Sequence, residues 1–360
     1  MGHRDGGNGH GTWAADWLPA ALTGLLLFGT AAAAFFMAVF FREDLGFSGA
    51  KVGVLFAGQA MTGMLAAIPV GVGNDRVTSR LLVAVGLVLQ AAGLGLLVVV
   101  RSFGWTLAAF LLYSAAANLF RMSLDLQVLK TDTGERTGIR VGLYQAGRFA
   151  GMLAGVLLSG YLLAGIDFST ALVAMGGYCA LLSLLSARLP PTPVGRASLA
   201  AYFADLKNPR VLAFSVWLAL FATHWGAEFT SYTLFLRSDF GLTFPQMGWY
   251  LSAEYAAISL TVLLLGRRVD RGGGLRTLAF VGLLASGFGH IVMVWPCLAI
   301  SLCARVSHGM GDGMMFLVFY VGLARLFPAA RLGGNSGVVN TATLAGMVLG
   351  SLAWGPLGES

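Results

Sequence analysis

Charge is scarce in this chain. Asp, Glu, Lys and Arg make up only 11% of its residues, against 57% hydrophobic, with a mean hydropathy of +0.77. That balance excludes an ordinary soluble domain of 360 residues. Cysteine is equally sparse. Cys179, Cys297 and Cys303 sit in or at the ends of apolar runs with no metal-ligand spacing, which argues against a disulfide framework and against a zinc module. There is no nucleophile elbow, phosphate loop or metalloprotease spacing, so nothing marks an enzyme or a bound cofactor.

Apolar sequence is abundant. Eleven segments reach the roughly 20 residues that a spanning helix needs. They cover approximately 18–41, 50–72, 81–100, 106–129, 141–163, 169–187, 211–236, 246–266, 275–296, 298–323 and 336–354, here called spans 1 to 11. The expected fold is therefore an all-α polytopic membrane protein. The net charge of +7 does not point to nucleic acid. Lys and Arg crowd into the loops after spans 2, 4, 6, 8 and 10 and thin out in the others, the asymmetry that keeps basic loops inside. It places the N-terminus in the cytoplasm, and the expected location is a bacterial cytoplasmic (inner) membrane.

Residues 1–17, with His3, His10 and several glycines, are expected to form a flexible cytoplasmic tail. The apolar run after them is too long for the core of a cleaved leader, so span 1 should persist. Residues 18–188 form an N-terminal half of six spans, 189–210 a cytoplasmic linker, and 211–360 a C-terminal half of five. Within the linker, Leu199, Tyr202, Phe203 and Leu206 recur at helical spacing, consistent with a short helix on the inner membrane surface or with an irregular solvated segment.

The halves repeat at a constant offset of 195 residues. It carries Arg42, Asp44, Gly46 and Gly53 onto Arg237, Asp239, Gly241 and Gly248, and Gly71, Asp75 and Arg76 onto Gly266, Asp270 and Arg271. It also carries Gly151, Met152 and Gly155 onto Gly346, Met347 and Gly350. A register held through several separated clusters is an internal repeat. Six spans separate equivalent points, so both copies insert in the same orientation, as parallel repeats whose shared axis runs along the membrane normal.

Gly71-Val-Gly-Asn-Asp75-Arg76-Val-Thr-Ser-Arg80, between spans 2 and 3, resembles the signature loop of the major facilitator superfamily, with Thr78 and Ser79 in place of its usual Gly and Arg. Gly266, Asp270 and Arg271 occupy the equivalent loop of the second half, and Arg305 with Gly309 on span 10 resembles the family's intramembrane Arg-x-x-x-Gly element. The resemblance implies a fold of two six-helix repeats. Span 12 would fall beyond Ser360, so eleven helices are expected, with the twelfth absent and with lipid or a partner helix covering spans 10 and 11. It further implies a latch: Asp75 would meet the start of span 11 near Ser336, and Asp270 the start of span 5 near Val141, when the cytoplasmic side is closed. Gly147, Gly151 and Gly155 on span 5 form a close-packing face similar to the family's antiporter element, with Val156 where that element has proline.

Ionisable residues inside spans are costly and face the bundle interior or water. Leaving histidine aside, they fall on spans 4, 5, 7, 8 and 10, and the interiors of spans 3, 6 and 9, which the resemblance makes peripheral, have none. Glu228, Glu254 and Arg305 lie at similar depth and can form one cluster. Two readings stand for it: a proton-coupling carboxylate, since close carboxylates in a low-dielectric site repel, or a structural ion pair or substrate contact. Arg121, Arg148 and Asp125 form a second set, with Asn118 beside them. Arg121 and Asp125 share a face at i, i+4 and read either as an ion pair supporting the gate with Arg76 or Arg80, or as a site for an anionic substrate group. His224 with Glu228 and His308 with Asp312 are two further i, i+4 pairs, suited to proton relay or to a divalent metal, with Trp225 as cavity wall. His290, on a peripheral span, reads as structural, and no metal ligand set is assigned.

The expected function is a secondary transporter that moves a small solute by alternating access, coupled to protons. The alternatives are a transporter-like sensor or assembly factor, and a divalent metal transporter.

Overall fold

The computed structural model describes residues 9–131, 136–162, 166–195, 197–228, 232–272 and 274–354. These are helical throughout, without a strand among them. The first half holds α1 (Gly9–Val39), α2 (Gly49–Arg76), α3 (Ser79–Val99), α4 (Phe103–Lys130), α5 (Thr137–Leu162) and α6 (Phe168–Ser186). A short α7 (Leu199–Leu206) occupies the linker. The second half holds α8 (Pro209–Ala227), α9 (Thr233–Ser238), α10 (Phe244–Asp270), α11 (Leu275–Val292), α12 (Leu298–Leu326) and α13 (Leu332–Trp354). Eight helices among the described residues are long and apolar enough to cross a membrane.

Local chemistry sets the boundaries. Ser48, Asp167 and Ser198 accept backbone N–H groups at the starts of α2, α6 and α7, and Asn208 caps α8 ahead of Pro209. Gly46 and Gly241, one repeat apart, both hold positive φ (64° and 62°) in the turns before α2 and α10. The same left-handed turn thus launches the second span of each half, and a side chain would be strained at either place.

Two elements differ from expectation. Helix α1 already runs from Gly9, so part of the stretch read as a tail is helical; residues 1–8 and 355–360 lie outside the described residues. Span 7 is not a uniform α-helix: π-helical geometry appears at Glu228, after α8, and at Tyr232, before α9, and residues 229–231 between them lie outside the described residues. A π segment inside an α-helix re-aims the side chains it carries and is frequent at functional positions.

The helix pairings obey the repeat. Within the halves, α1 packs on α5 as α8 packs on α13, α3 on α4 as α11 on α12, and α2 on α4 as α10 on α12. Between the halves, α5 packs on α10 as α13 packs on α2. Close backbone approach makes these contacts: a methyl at Gly151 would overlap the Gly24 carbonyl of α1, and one at Gly350 the Thr223 carbonyl of α8.

Candidate functional site

Three polar sites stand out against the apolar bundle. The first is a pair of latches that join the halves. Asp75, at the end of α2, accepts the backbone N–H of Gly333 (2.9 Å) and of Gly334 (2.7 Å) at the start of α13. Asp270, at the end of α10, accepts those of Gly138 (2.6 Å) and Ile139 (2.8 Å) at the start of α5. Helix N-termini carry unpaired N–H groups and the positive end of the dipole, so each carboxylate closes a ready-made anion site. Donors and acceptors are related by the same 195-residue offset, so the two contacts are equivalent across a pseudo-two-fold axis. They fall a few residues before Ser336 and Val141 because both helices begin earlier than the apolar runs suggest. Gly71 faces the Gly333 carbonyl, and Gly266 faces that of Gly138, where a side chain would hold the elements apart.

The latches are not equal. Asp75 is fully buried and also takes the Lys130 ammonium (2.6 Å) and the Tyr202 hydroxyl (2.8 Å) from α7. Helix α7 is tied down in turn: Asp205 accepts Arg331 through both oxygens (2.7 and 3.0 Å) and Asn335 (2.7 Å). Arg331 holds the Asp205 carboxyl below its usual range. Arg76, Arg80 and Arg271 are exposed.

The second site lies on the axis itself. Tyr320 of α12 donates to Asp125 (3.0 Å) and accepts from Arg148 (3.0 Å), so the C-terminal half contacts both charged groups of the N-terminal half. Asp125 also accepts the Tyr144 hydroxyl (2.7 Å) and lies 3.6 Å from Arg148. Tyr320 stands one repeat after Asp125, and equivalent positions can meet only near the axis. A cavity of about 20 Å³, bordered by Asp125, Tyr320, Ser336 and Asn340, adjoins them. It is large enough for one water. The expected Arg121–Asp125 pair does not form: Arg121 donates to Asn118 Oδ1 (3.2 Å), and Asp125 takes Arg148 instead. Sharing a helix face was not sufficient, because α5 and α12 present better-placed partners.

The third site is enclosed in the C-terminal half. Arg305, 3% exposed, bridges Glu228 (3.0 Å) and Glu254, and its guanidinium lies 4.6 Å from the centre of the Tyr232 ring. Breaking a buried pair by removing one partner costs about 3–5 kcal/mol, so Arg305 is indispensable to both carboxylates. His308 Nε2 faces Glu228 (2.8 Å), Glu254 (3.6 Å) and Asp312 (3.8 Å). Asp312 accepts Trp225 Nε1 and Ser286 Oγ, each at 2.7 Å. Of the two i, i+4 pairs, His308–Asp312 is present at 3.8 Å, whereas His224 approaches Asp312 (3.6 Å) and His308, not His224, meets Glu228. His290, read as structural, lies 3.2 Å from Glu228 and belongs to the network. Trp225 stacks on Phe316, which packs on Phe149 of α5, so an aromatic contact links this network to the N-terminal half.

Sequence reading missed Lys130, Tyr202, Tyr144, Tyr320, Ser286 and His290. Tyr320 had a signal, since applying the repeat offset to Asp125 leads to it. The others had none, because their roles come from contacts between helices distant in sequence.

Two repeated helical halves, latched by carboxylates at helix N-termini and carrying buried charge, define a polytopic membrane transporter. The sequence matches the family description Major Facilitator Superfamily over residues 20–351, and the chain belongs to that superfamily. Among solved structures it is similar to the human organic anion transporter MFSD10 (TETRAN), at 15% identity, covering 96% of this chain and 95% of that one with a TM-score of 0.73. It is likewise similar to the E. coli fucose:proton symporter FucP (15%, 95% and 91%, 0.71) and the nucleoside transporter NupG (15%, 95% and 91%, 0.65). No curated protein matches the sequence.

Proposed function

We propose that the chain moves a small solute across the membrane by alternating access, with protons as the coupling ion. The observation that carries this reading is the pair of repeat-related latches. Each joins one half to the other through a carboxylate and two backbone N–H groups, so both can break together when the halves rock. Helices α1, α8 with α9, and α13 complete eleven crossings in this reading, and the basic loops set the N-terminus and both latches on the cytoplasmic side of a bacterial inner membrane. The arrangement described is then closed to the cytoplasm.

The solute passes between the halves near Arg121, Asn118, Arg148 and Asp125. Glu228 and Glu254 carry the coupling proton, since two carboxylates sharing one guanidinium leave one negative charge in an apolar site. The test uses proteoliposomes with an imposed pH gradient and a panel of fucose, nucleosides and organic anions. Gradient-driven flux of one of them, abolished in Glu254→Gln or Glu228→Gln, is expected. Absence of pH-dependent flux for every solute, or flux indifferent to both substitutions, overturns the coupled-transport reading.

A further inference from the structure

We infer that the C-terminal half holds one divalent transition-metal ion of the Zn²⁺ class on His224 Nε2, His308 Nε2 and Asp312 Oδ2. The ion is resident, bound within one half and not carried between the two. This goes beyond proton-coupled transport and does not depend on it, because the ligands differ from the proposed proton carriers.

The tautomers point there first. His224 Nδ1 is bonded to the backbone carbonyl of Phe221, and His308 Nδ1 to that of Ser286 (3.0 Å). A carbonyl can only accept, so each Nδ1 carries a hydrogen, and in the neutral ring that a metal binds each Nε2 presents a lone pair. Backbone carbonyls and carboxylates orient metal-binding imidazoles in this way. Both Nε2 atoms are buried and make no well-aligned hydrogen bond, and the His308 side chain is 0% exposed. An unsatisfied buried nitrogen is costly, and two that converge on one carboxylate call for a common partner.

Spacing agrees. Asp312 Oδ2 lies 3.6 Å from His224 Nε2 and 3.8 Å from His308 Nε2, and the three donor atoms fall within 4.8 Å of one another. Tetrahedral zinc with bonds of about 2.0–2.1 Å places its ligands roughly 3.3 Å apart, so both Asp312 spacings lie within about half an ångström of that geometry and the two imidazoles need to close by about 1.5 Å at most. Asp312 is braced as a ligand should be, with Ser286 Oγ on Oδ1 and Trp225 Nε1 on Oδ2. Glu228 Oε1, 2.8 Å from His308 Nε2, stands beside the fourth position. His290 completes a triangle of imidazoles with ring centres 5.2–5.6 Å apart.

Charge chooses the kind of ion. With neutral histidines, the carboxylates of Glu228, Glu254 and Asp312 against the single Arg305 leave two negative charges, which one divalent cation cancels. Two imidazoles and a carboxylate favour zinc, cobalt or nickel over magnesium and calcium, which prefer all-oxygen sites. The ligands lie on α8 and α12, both in the C-terminal half, so rocking of the halves carries the ion without exchanging it. His224 and His290, at 16% and 29% side-chain exposure, give it access.

The experiment uses the full chain in detergent, stripped with chelator and given Zn²⁺ alone. About one ion per chain should survive desalting and raise the unfolding temperature, because a ligand of the folded state stabilises it. Co²⁺ in its place should show the strong visible absorption of a four-coordinate site. Asp312→Asn, which preserves shape and can keep the Trp225 N–H on its oxygen, and His224→Gln should both lose the ion while eluting as monodisperse protein; His290→Ala should keep it. If either ligand variant misfolds, the other decides. No retained ion, or retention unchanged in the folded ligand variants, which would place the metal elsewhere, for example on His3 and His10, overturns the inference. Flux is not the readout, so failure of the transport reading leaves this result standing, and the reverse.

Discussion

Replacing Asp75 by Asn removes one charge and one acceptor from a site that now serves four donors. The carboxylate takes two backbone N–H groups, the Lys130 ammonium at 2.6 Å and the Tyr202 hydroxyl at 2.8 Å. An amide offers a single oxygen, so about half of these bonds are lost, and Lys130, with a fully buried side chain, keeps no carboxylate. Breaking a buried pair from one side costs about 3–5 kcal/mol, which corresponds to roughly a hundredfold to several-thousandfold in the ratio of latched to open molecules. Asp270→Asn should cost less, since its carboxylate serves two backbone N–H groups; losing one bond to a charged acceptor costs about 1.5–3 kcal/mol, or roughly ten- to a hundredfold. Spin labels in place of the exposed Arg80 and Arg276, at the starts of α3 and α11, report the separation of the halves. Pulsed dipolar spectroscopy should show a longer-distance population that grows from wild type to Asp270→Asn to Asp75→Asn. Identical distributions in all three, or the opposite order, would refute the account of the latches.

Tyr320→Phe removes the hydroxyl that joins Asp125 and Arg148 across the axis, while Asp125 retains Tyr144 and Arg148. A loss of about 1.5–3 kcal/mol in thermal or denaturant unfolding is expected, and a double-mutant cycle with Asp125→Asn should give a coupling of about 1 kcal/mol or more; zero coupling contradicts the contact. Asp205, outside the spans, is held below its usual range chiefly by Arg331, so its contribution is complete above the ordinary aspartate pKa of about 3.9 and is lost as pH falls through the lower folded-state value. The stability gap between wild type and Asp205→Asn should therefore be about 1 kcal/mol at most, constant from pH 8 to 5, and should shrink only in stronger acid.

Much of the architecture was legible because its signals are local or periodic. Apolar runs must be helices in a bilayer, where every backbone polar group has to be satisfied within its own segment. The repeat offset then made the halves parallel and made the Asp75 and Asp270 contacts counterparts. The π-helical geometry at Glu228 and Tyr232 was not legible, since the apolar pattern of span 7 reads as an ordinary α-helix. Membership of the charged cluster was only partly legible: depth along the helices brought Glu228, Glu254 and Arg305 together, yet depth says nothing of rotation about each helix axis.

By itself, then, the sequence determined a helical membrane bundle and its twofold repetition, because hydropathy, register and spacing are properties of one dimension, while the latch carboxylates were indicated by the resemblance of their loops to the superfamily signature. Only the tertiary structure decided which charges meet. His224 turns to Asp312 and not to its own i+4 neighbour, Asp125 turns to Arg148 and not to Arg121, and His290 enters the network from a helix read as peripheral. A buried charge takes the partner that best offsets its desolvation, and that partner is set by how separate helices rotate and pack.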